Sequence, residues 1–296
     1  MVYVSTYLKV YYPTEFYCAL LNAQPMGFYS PSTIIYEARR RGIKIRSIDI
    51  KKSRWDCTVE GDDVRLGFRY TKSLGPAAKE KLERELTNGP FTSPQDFVFR
   101  SGINKDALQQ LAMVGAFAGF GLSRRQALWE ILALANRSAD ELPMSADQSG
   151  AVQLRPMSIG ERLAADFKGM DLSAGPHPIS LIRPVLREQK IKSSADLKTI
   201  RDNTPVKVAG VVVIRQRPMT AKGFLFITLE DETGFLNIVV KPQLVEKFRK
   251  ELIYSGGLIV RGTVERQDGV INVIGHSFTP LAFKDAMIKM KARDFR

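Results

Sequence analysis

The residues best suited to chemistry in this chain are cations and aromatic rings. Within residues 206–281, basic side chains gather at predicted loops, and two phenylalanines alternate along a predicted strand. Cations bind phosphates and exposed rings stack on bases, so the pattern predicts a surface for single-stranded nucleic acid. In the alternative interpretation, both phenylalanines fill the core or pack under the helix that begins at Pro242. The candidate binding residues are Arg215, Arg217, Lys222, Phe224, Phe226, Arg261 and Arg266.

Two glycine-containing turns that lead into helices form a second group of candidates. The N–H groups at a helix start, together with the positive end of its dipole, favour a phosphate. Arg124 and Arg125 are unfavourable in the first turn of a helix unless an anion lies nearby, which favours DNA. An ordinary helical hairpin with solvated arginines is the alternative. The candidate residues are Lys72, Gly75, Lys79, Gly119, Gly121, Ser123, Arg124 and Arg125.

Residues for catalysis or metal binding are scarce. Phosphoryl transfer needs acidic residues that hold two metal ions, and the chain has no Asp-x-Asp pair. Its two histidines, His177 and His276, lie far apart, and Cys18 and Cys57 have no metal-type spacing, which predicts reduced thiols. The sequence therefore predicts no catalytic residue, no metal and no cofactor within this chain.

The elements that would position these residues follow from hydrophobic periodicity. Apolar alternation predicts strands at 206–214, 224–229, 235–240, 258–265 and 270–277, with a helix at 242–251 after the third strand. Five strands with a helix in this place are typical of an OB barrel. Upstream, the pair Ser158 and Glu161 predicts a capped helix start, and the first third is mainly helical.

Composition and punctuation set the wider organisation. The 296 residues carry a net charge of +13, which favours a polyanionic partner, although a solvated surface has the same composition. No apolar run is long enough to span a membrane and no signal peptide is evident, so we expect a cytoplasmic protein. The predicted domains are residues 1–63, a hairpin module at 64–136, a linker with connecting helices at 137–205, the barrel at 206–281 and a basic tail at 282–296.

Residues 2–23 are apolar on more than one side, including Tyr3, Tyr7 and Phe16. A helix of this kind needs a larger body to pack against. We expect either that Met1 marks the cut edge of a longer protein, or that this helix docks onto later helices of the same chain.

Together these segments resemble the bacterial C-family DNA polymerases, which include the DNA polymerase III alpha subunit. Residues 3–9, 12–16 and 38–42 are similar to the end of that family's fingers, and residues 24–31 to its error-prone, damage-inducible branch. Residues 65–68, 89–91, 111–117 and 124–129 resemble its tandem helix-hairpin-helix module, and 208–210, 215–218, 220–223 and 228–234 its OB domain. The resemblance covers nearly the whole chain in the right order.

The resemblance implies an α+β multidomain fold, with a helical N-terminal half that carries the tandem module and then a five-stranded OB barrel. It implies that the chain is the DNA-binding C-terminal part of an error-prone polymerase and holds duplex and single-stranded template without sequence specificity. The whole polymerase would be a nucleotidyltransferase of translesion synthesis, repair and replication. The catalytic carboxylates and their Mg²⁺ would lie upstream, so this chain alone should be inactive. Ser73 departs from the family, which has glycine there.

The resemblance also implies a Y-family-like mutagenesis partner. Residues 126–129 faintly resemble a peptide that docks on the sliding clamp, although they fall within a predicted helix. Two further functions remain open from the residues alone. One is a stand-alone, non-catalytic DNA-binding accessory protein, and the other is an RNA-binding OB module such as the anticodon barrel of an aminoacyl-tRNA synthetase.

Overall fold

The computed structural model describes residues 2–27, 29–135, 154–281 and 293–295, the last three as backbone only. The chain divides into two compact units, Met1–Gln24 with Gly42–Ala174, and Pro25–Arg41 with Gly175–Arg296. The predicted domain boundaries after residues 63, 136 and 205 divide the chain at other positions and stay predictions. Residues 137–153 of the predicted linker lie outside the described residues, as does the predicted basic tail except for Arg293–Phe295.

Helices dominate the first unit and strands the second. The helices are α1 (Val2–Tyr11), α2 (Pro13–Asn22), α3 (Pro31–Arg40), α4 (Pro76–Thr87), α5 (Pro94–Ser101), α6 (Lys105–Val114), α7 (Arg124–Ala135), α8 (Ile159–Met170), α9 (Pro178–Glu188), α10 (Ser194–Leu197), α11 (Pro242–Lys247) and α12 (Arg249–Tyr254). The strands are β1 (Ile45–Arg46), β2 (Thr58–Glu60), β3 (Asp63–Arg65), β4 (Pro205–Gln216), β5 (Leu225–Glu230), β6 (Phe235–Val240), β7 (Gly257–Gln267), β8 (Val270–Pro280) and β9 (Arg293–Phe295).

The N-terminal apolar segment is two helices and not the single one that its hydrophobicity predicts. Pro13 starts α2, because proline lacks the N–H that a continuous helix needs. Helix α2 buries Tyr17 and Leu21, whereas α1 has no buried residue, and Tyr3 and Tyr7 on it are 81% and 45% exposed. The apolar face of α1 therefore lies open to solvent.

The core of the first unit is built from helices packed beside a three-stranded sheet of order β1-β3-β2. Phe97 lies between Phe91 and Phe117, edge-on to both, with ring centroids 4.9 and 5.6 Å apart. Helix α8 begins with the predicted capping box, in which Ser158 and Glu161 bond each other's backbone N–H. The predicted phosphate sites lie in this unit, at the starts of α4 and α7.

The second unit contains the predicted five-stranded barrel. Its strands run in the order β5-β6-β8-β7-β4, and β4 pairs back with β5 to close it. The pair β6–β8 is parallel and the others are antiparallel, which is the mixed pairing of an OB fold. The predicted helix after the third strand is two short helices, α11 and α12, that break at Phe248, whose ring packs edge-on against Phe278. The fold class is thus confirmed.

Period-two alternation decides which side chains fill the barrel. Leu225, Ile227 and Leu229 of β5 point inward, as do Leu236 and Ile238 of β6, and all are buried. The turn between β7 and β8 has positive φ at both Asp268 and Gly269, the conformation of a type I′ hairpin. Strand alternation therefore leaves one outer face on β5 and β6.

Helix α3 belongs to this second unit. Ser30 caps its start by accepting a hydrogen bond from the N–H of Thr33, and the helix buries Ile34, Ile35 and Tyr36. Among the described helices, none is long and apolar enough to cross a membrane.

Candidate nucleic-acid interface

The first glycine turn presents an uncapped helix start. Gly75 precedes α4 without a side-chain cap, and a Cβ placed on it would have nothing within 4 Å. Ser73 has φ +69°, the left-handed conformation that favours glycine, so the turn keeps its shape at a cost in backbone strain. A phosphate can therefore approach the N–H groups of this helix start.

Lys72 and Lys79 differ in how much of their charge remains for a ligand. The Nζ of Lys72 bonds the carbonyl of Lys168 at 2.9 Å and the carboxylate of Asp171 at 2.8 Å, both at the end of α8. Lys79 is 42% exposed and makes only a long contact of 3.8 Å with Glu83. Lys72 thus ties the turn to α8, and Lys79 lies beside the helix start.

The second turn combines an open glycine with a packed one. Gly121 has φ +80°, and a Cβ on it would meet nothing within 4 Å. A Cβ on Gly119, in contrast, would lie 2.6 Å from the carboxylate of Asp49, so close packing within the protein requires this glycine. Ser123 caps α7, because its hydroxyl accepts a hydrogen bond from the Gln126 N–H at 3.4 Å. The side chain of Gln126 in turn accepts from the Ser123 N–H at 3.1 Å.

The two arginines that begin α7 are paired with carboxylates of α8. Arg124 contacts Asp166 at 2.7 Å, and Arg125 contacts Glu161 at 2.9 Å. The pKa of Asp166 is raised by burial, and Arg124 opposes that effect. The negative charge expected beside these arginines is therefore supplied by carboxylates of the protein itself. DNA contact by Arg124, which is only 14% exposed, and by Arg125 stays a prediction.

The sequence predicts that Arg215 lies in a loop, but this prediction is wrong. It belongs to β4, is 7% exposed, and donates from Nε to the carbonyl of Leu252 at 2.6 Å and from Nη2 to that of Ser255 at 2.5 Å. These carbonyls lie at the C-terminal end of α12, where a cation is favourable. The guanidinium therefore caps a helix inside the protein.

Arg266 has a similar structural role. Its backbone N–H bonds Asp202, and its guanidinium bonds the carbonyls of Leu197, Lys198 and Ile200. It thus caps the end of α10 and fixes the segment that enters β4. The sequence does not distinguish a capping arginine from a solvated one, because both occur next to a turn.

Three of the candidate cations of the barrel remain exposed. Arg217 is 52% exposed. Its contact with Glu246 is long, at 3.9 Å, and a surface contact of this kind contributes little to stability. Lys222 lies in the same loop between β4 and β5, and Arg261 is exposed on β7. These residues place positive charges on the outside of the barrel.

Phe226 lies on the outer face of β5, outside the barrel core. Its side chain is 38% exposed, while its neighbours Leu225 and Ile227 point inward. Phe224 lies just before the strand and is partly buried. Stacking of bases on either ring stays a prediction, but the position of Phe226 permits it.

Sequence reasoning missed the segment that packs on the same outer face. Arg40 of α3 contacts Glu230 of β5 at 3.0 Å, across 190 residues of sequence. Burial raises the pKa of Glu230 to about 8, and Arg40 opposes the effect. The one available signal was a glutamate at an outward position of a strand, which gives no information on the partner.

A second group of buried polar residues lies next to Glu230 in sequence, at the turn after β5. Arg183 of α9 contacts Asp231 at 3.4 Å and Glu232 at 2.5 Å. Burial and the neighbouring arginines lower the pKa of His177 to about 3, so its ring is neutral, and its Nδ1 accepts from the N–H of Ile179. His177 therefore caps α9 and has a structural role.

The described residues contain no group of three or more His, Cys, Asp or Glu side chains placed to hold a metal ion. Cys18 and Cys57 are buried free thiols, as predicted, and burial raises the pKa of both. The absence of a cofactor stays a prediction for the chain as a whole. The clamp-like segment 126–129 lies within α7, where Trp129 is 58% exposed.

Comparison with known families agrees with this geometry. Residues 42–127 match a helix-hairpin-helix motif, and residues 206–281 match an OB-fold nucleic acid binding domain. Among solved structures, 26% of the chain is similar to asparaginyl-tRNA synthetase from Pyrococcus horikoshii, at 27% identity and a TM-score of 0.23. That overlap is too weak to bear on function.

Curated relatives cover the whole chain. It is 38% identical over its full length to the error-prone DNA polymerase of Anaeromyxobacter dehalogenans, and 39% identical to that of Dechloromonas aromatica. It is also 38% identical, over 99% of its length, to error-prone DNA polymerase 3 of Agrobacterium fabrum. The chain spans 27% to 29% of the length of these relatives. The chain is thus similar over its whole length to the C-terminal part of these error-prone DNA polymerases.

Proposed function

We propose that this chain holds DNA for an error-prone polymerase, binding phosphates at its glycine turns and single-stranded template on the outer face of β5 and β6. The exposed ring of Phe226, close in sequence to the cations Arg217 and Lys222, carries the proposal. Ring stacking and phosphate attraction are both insensitive to base sequence, as copying of any template requires.

The duplex would be held by the first unit. The helix start at Gly75 is uncapped and accessible, and Gly121 is open in the second turn. Backbone N–H groups of this kind bind phosphates without reading bases. The net charge of +13 supports the same assignment.

The wider role in translesion synthesis and repair, in the cytoplasm, belongs to the same proposal. The names of the relatives support only the part of the proposal that concerns an error-prone DNA polymerase. Polymerisation with Mg²⁺ would be carried out by the longer protein, with a Y-family-like partner and the sliding clamp as proposed contacts. The open apolar face of α1 supports the polymerase assignment over a stand-alone accessory protein, because the latter would have to bury Tyr3 and Tyr7 within itself.

Fluorescence anisotropy with a labelled oligonucleotide of about 12 thymidines, within the site size of an OB fold, tests the proposal. Phe226→Ala should weaken binding about 5- to 100-fold, the loss expected for one stacked base, with an unchanged melting temperature. Tyr254→Ala is the matched control, because this ring is 82% exposed but belongs to α12 and not to β5 or β6.

Binding should also weaken with salt, and Arg217→Met combined with Lys222→Met should make the salt dependence shallower. The same oligonucleotide in RNA form measures whether the chain prefers DNA. If the wild-type chain retains neither single-stranded nor duplex DNA at low salt, the proposed function is wrong. A large loss of stability in Phe226→Ala would instead place the ring in the core.

A further inference from the structure

A second aromatic surface lies on the same outer face of the barrel. Phe235 of β6 is 38% exposed, and Tyr29, just before α3, is 51% exposed. Their ring centroids are 6.4 Å apart, and the guanidinium of Arg40 lies over the Phe235 ring at 4.9 Å from its centroid. We call Tyr29, Phe235 and Arg40 the aromatic shelf.

The shelf is anchored by a buried hydrogen bond from Arg40 to Glu230. Arg40 contacts Glu230, which is fully buried and lies directly opposite Phe235 in the β5–β6 register. Arg40 also contacts Glu37 at 3.2 Å within α3. A guanidinium held by two glutamates fixes the position of the Phe235 ring beneath it, and a surface fixed before binding loses less entropy when a ligand arrives.

The strand register places the shelf in line with Phe226. Phe226 is paired with Val239, Thr228 with Asn237, and Glu230 with Phe235, so alternate residues share the outer face. Val239 and Phe235 are four residues apart, which corresponds to about 13 Å along the sheet. Between the two rings, Thr228 and Asn237 offer a hydroxyl and an amide for hydrogen bonds.

We propose that Tyr29 is a second base-stacking residue of this face, on which an unpaired base of single-stranded DNA packs while the strand continues to Phe226. The inference rests on the proposed function and names a further part of its binding site. Helix α3 ends in Arg39 and Arg40 and is followed by Arg41, whereas the same stretch has one acidic residue, Glu37. Cations therefore lie near the shelf, where they can attract the phosphates of a DNA strand.

The test compares Tyr29→Ala and Tyr29→Phe with the wild-type chain, again with the oligonucleotide of about 12 thymidines. Tyr29→Ala should weaken binding about 5- to 100-fold, and Tyr29→Phe, which keeps the ring, should stay within about twofold of wild type. Against an abasic strand of equal length, wild type and Tyr29→Ala should bind alike, since only the stacked base is lost. Half of the Tyr29 side chain is exposed, so the melting temperature should not change.

A spectroscopic variant reports stacking directly. The emission of Tyr29→Trp should be quenched by the thymidine strand and unaffected by the abasic one, whereas Tyr254→Trp should respond to neither. If Tyr29→Ala binds like wild type while Phe226→Ala is weakened, the shelf is not part of the site and the proposed function stands. If the wild-type chain binds no single strand at all, the proposed function and this inference both fail.

Discussion

Replacing Arg215 with methionine tests whether this arginine binds DNA or holds the barrel together. Methionine keeps most of the apolar stem and removes only the guanidinium. The guanidinium donates to the carbonyls of Leu252 and Ser255, and the residue is 7% exposed. The structure therefore predicts a loss of stability in Arg215→Met, and no direct loss of a DNA contact.

The magnitude follows from the hydrogen bonds that disappear. Each bond from a charged donor contributes about 1.5–3 kcal/mol, and two are lost, so the free energy of unfolding should fall by about 3–6 kcal/mol. For a unit of this size, each kcal/mol lowers the melting temperature by about 4 °C. We expect the transition of the second unit to shift by more than about 10 °C.

Arg217→Met is the matched control, because it makes the same replacement two residues later at a side chain that is 52% exposed. Calorimetry of the full chain should show an unchanged transition for this variant, and anisotropy should show weaker DNA binding. If Arg215→Met melts like wild type and binds DNA less well, the capping role is refuted and the residue belongs to the interface.

Two further predictions concern strain and protonation. Ser73 is exposed with φ +69°, so Ser73→Val should cost about 1–2 kcal/mol of stability whereas Ser73→Gly should cost nothing; equal urea midpoints would contradict the left-handed turn. The pKa of Glu230 is raised to about 8, so the folded state holds its proton more tightly than the unfolded one, and this stabilisation is lost as pH rises through that value. The unfolding free energy of wild type relative to Glu230→Gln should therefore fall between about pH 5 and pH 9, and a constant difference would mean that Glu230 is ionised throughout.

Most of the barrel could be predicted from the sequence, because its strands alternate apolar and polar residues and are separated by turn residues. The strand from Phe235 to Val240 has its predicted ends, and Ser158 caps α8 as expected. The break at Pro13 was also readable from proline chemistry, but the continuous hydrophobicity of residues 2–23 outweighed it. Local patterns thus determine the elements, and errors arise where two local signals compete.

The candidate site was less predictable, because the partners of its arginines lie far away in sequence. Arg124 finds Asp166 and Arg266 finds the carbonyls at the end of α10, and neither partner follows from spacing. In the sequence, an arginine that caps a helix and an arginine that binds phosphate look the same, because both occur beside a turn. Only the fold shows whether the donors of such an arginine are already occupied.

The segment that resembles the error-prone branch precedes α3 and lies against the outer face of β6 through Tyr29. Residues 24–31 carry that resemblance, and they include Tyr29, whose ring lies against Phe235 of the barrel. Arg40, at the end of α3, holds this helix on the strands through a buried hydrogen bond to Glu230, and loss of either partner would leave the other with an unsatisfied buried polar group. The outer face of β5 and β6 is therefore composed of two distant parts of the chain, and a change at Tyr29 alters this surface without any change in the barrel itself.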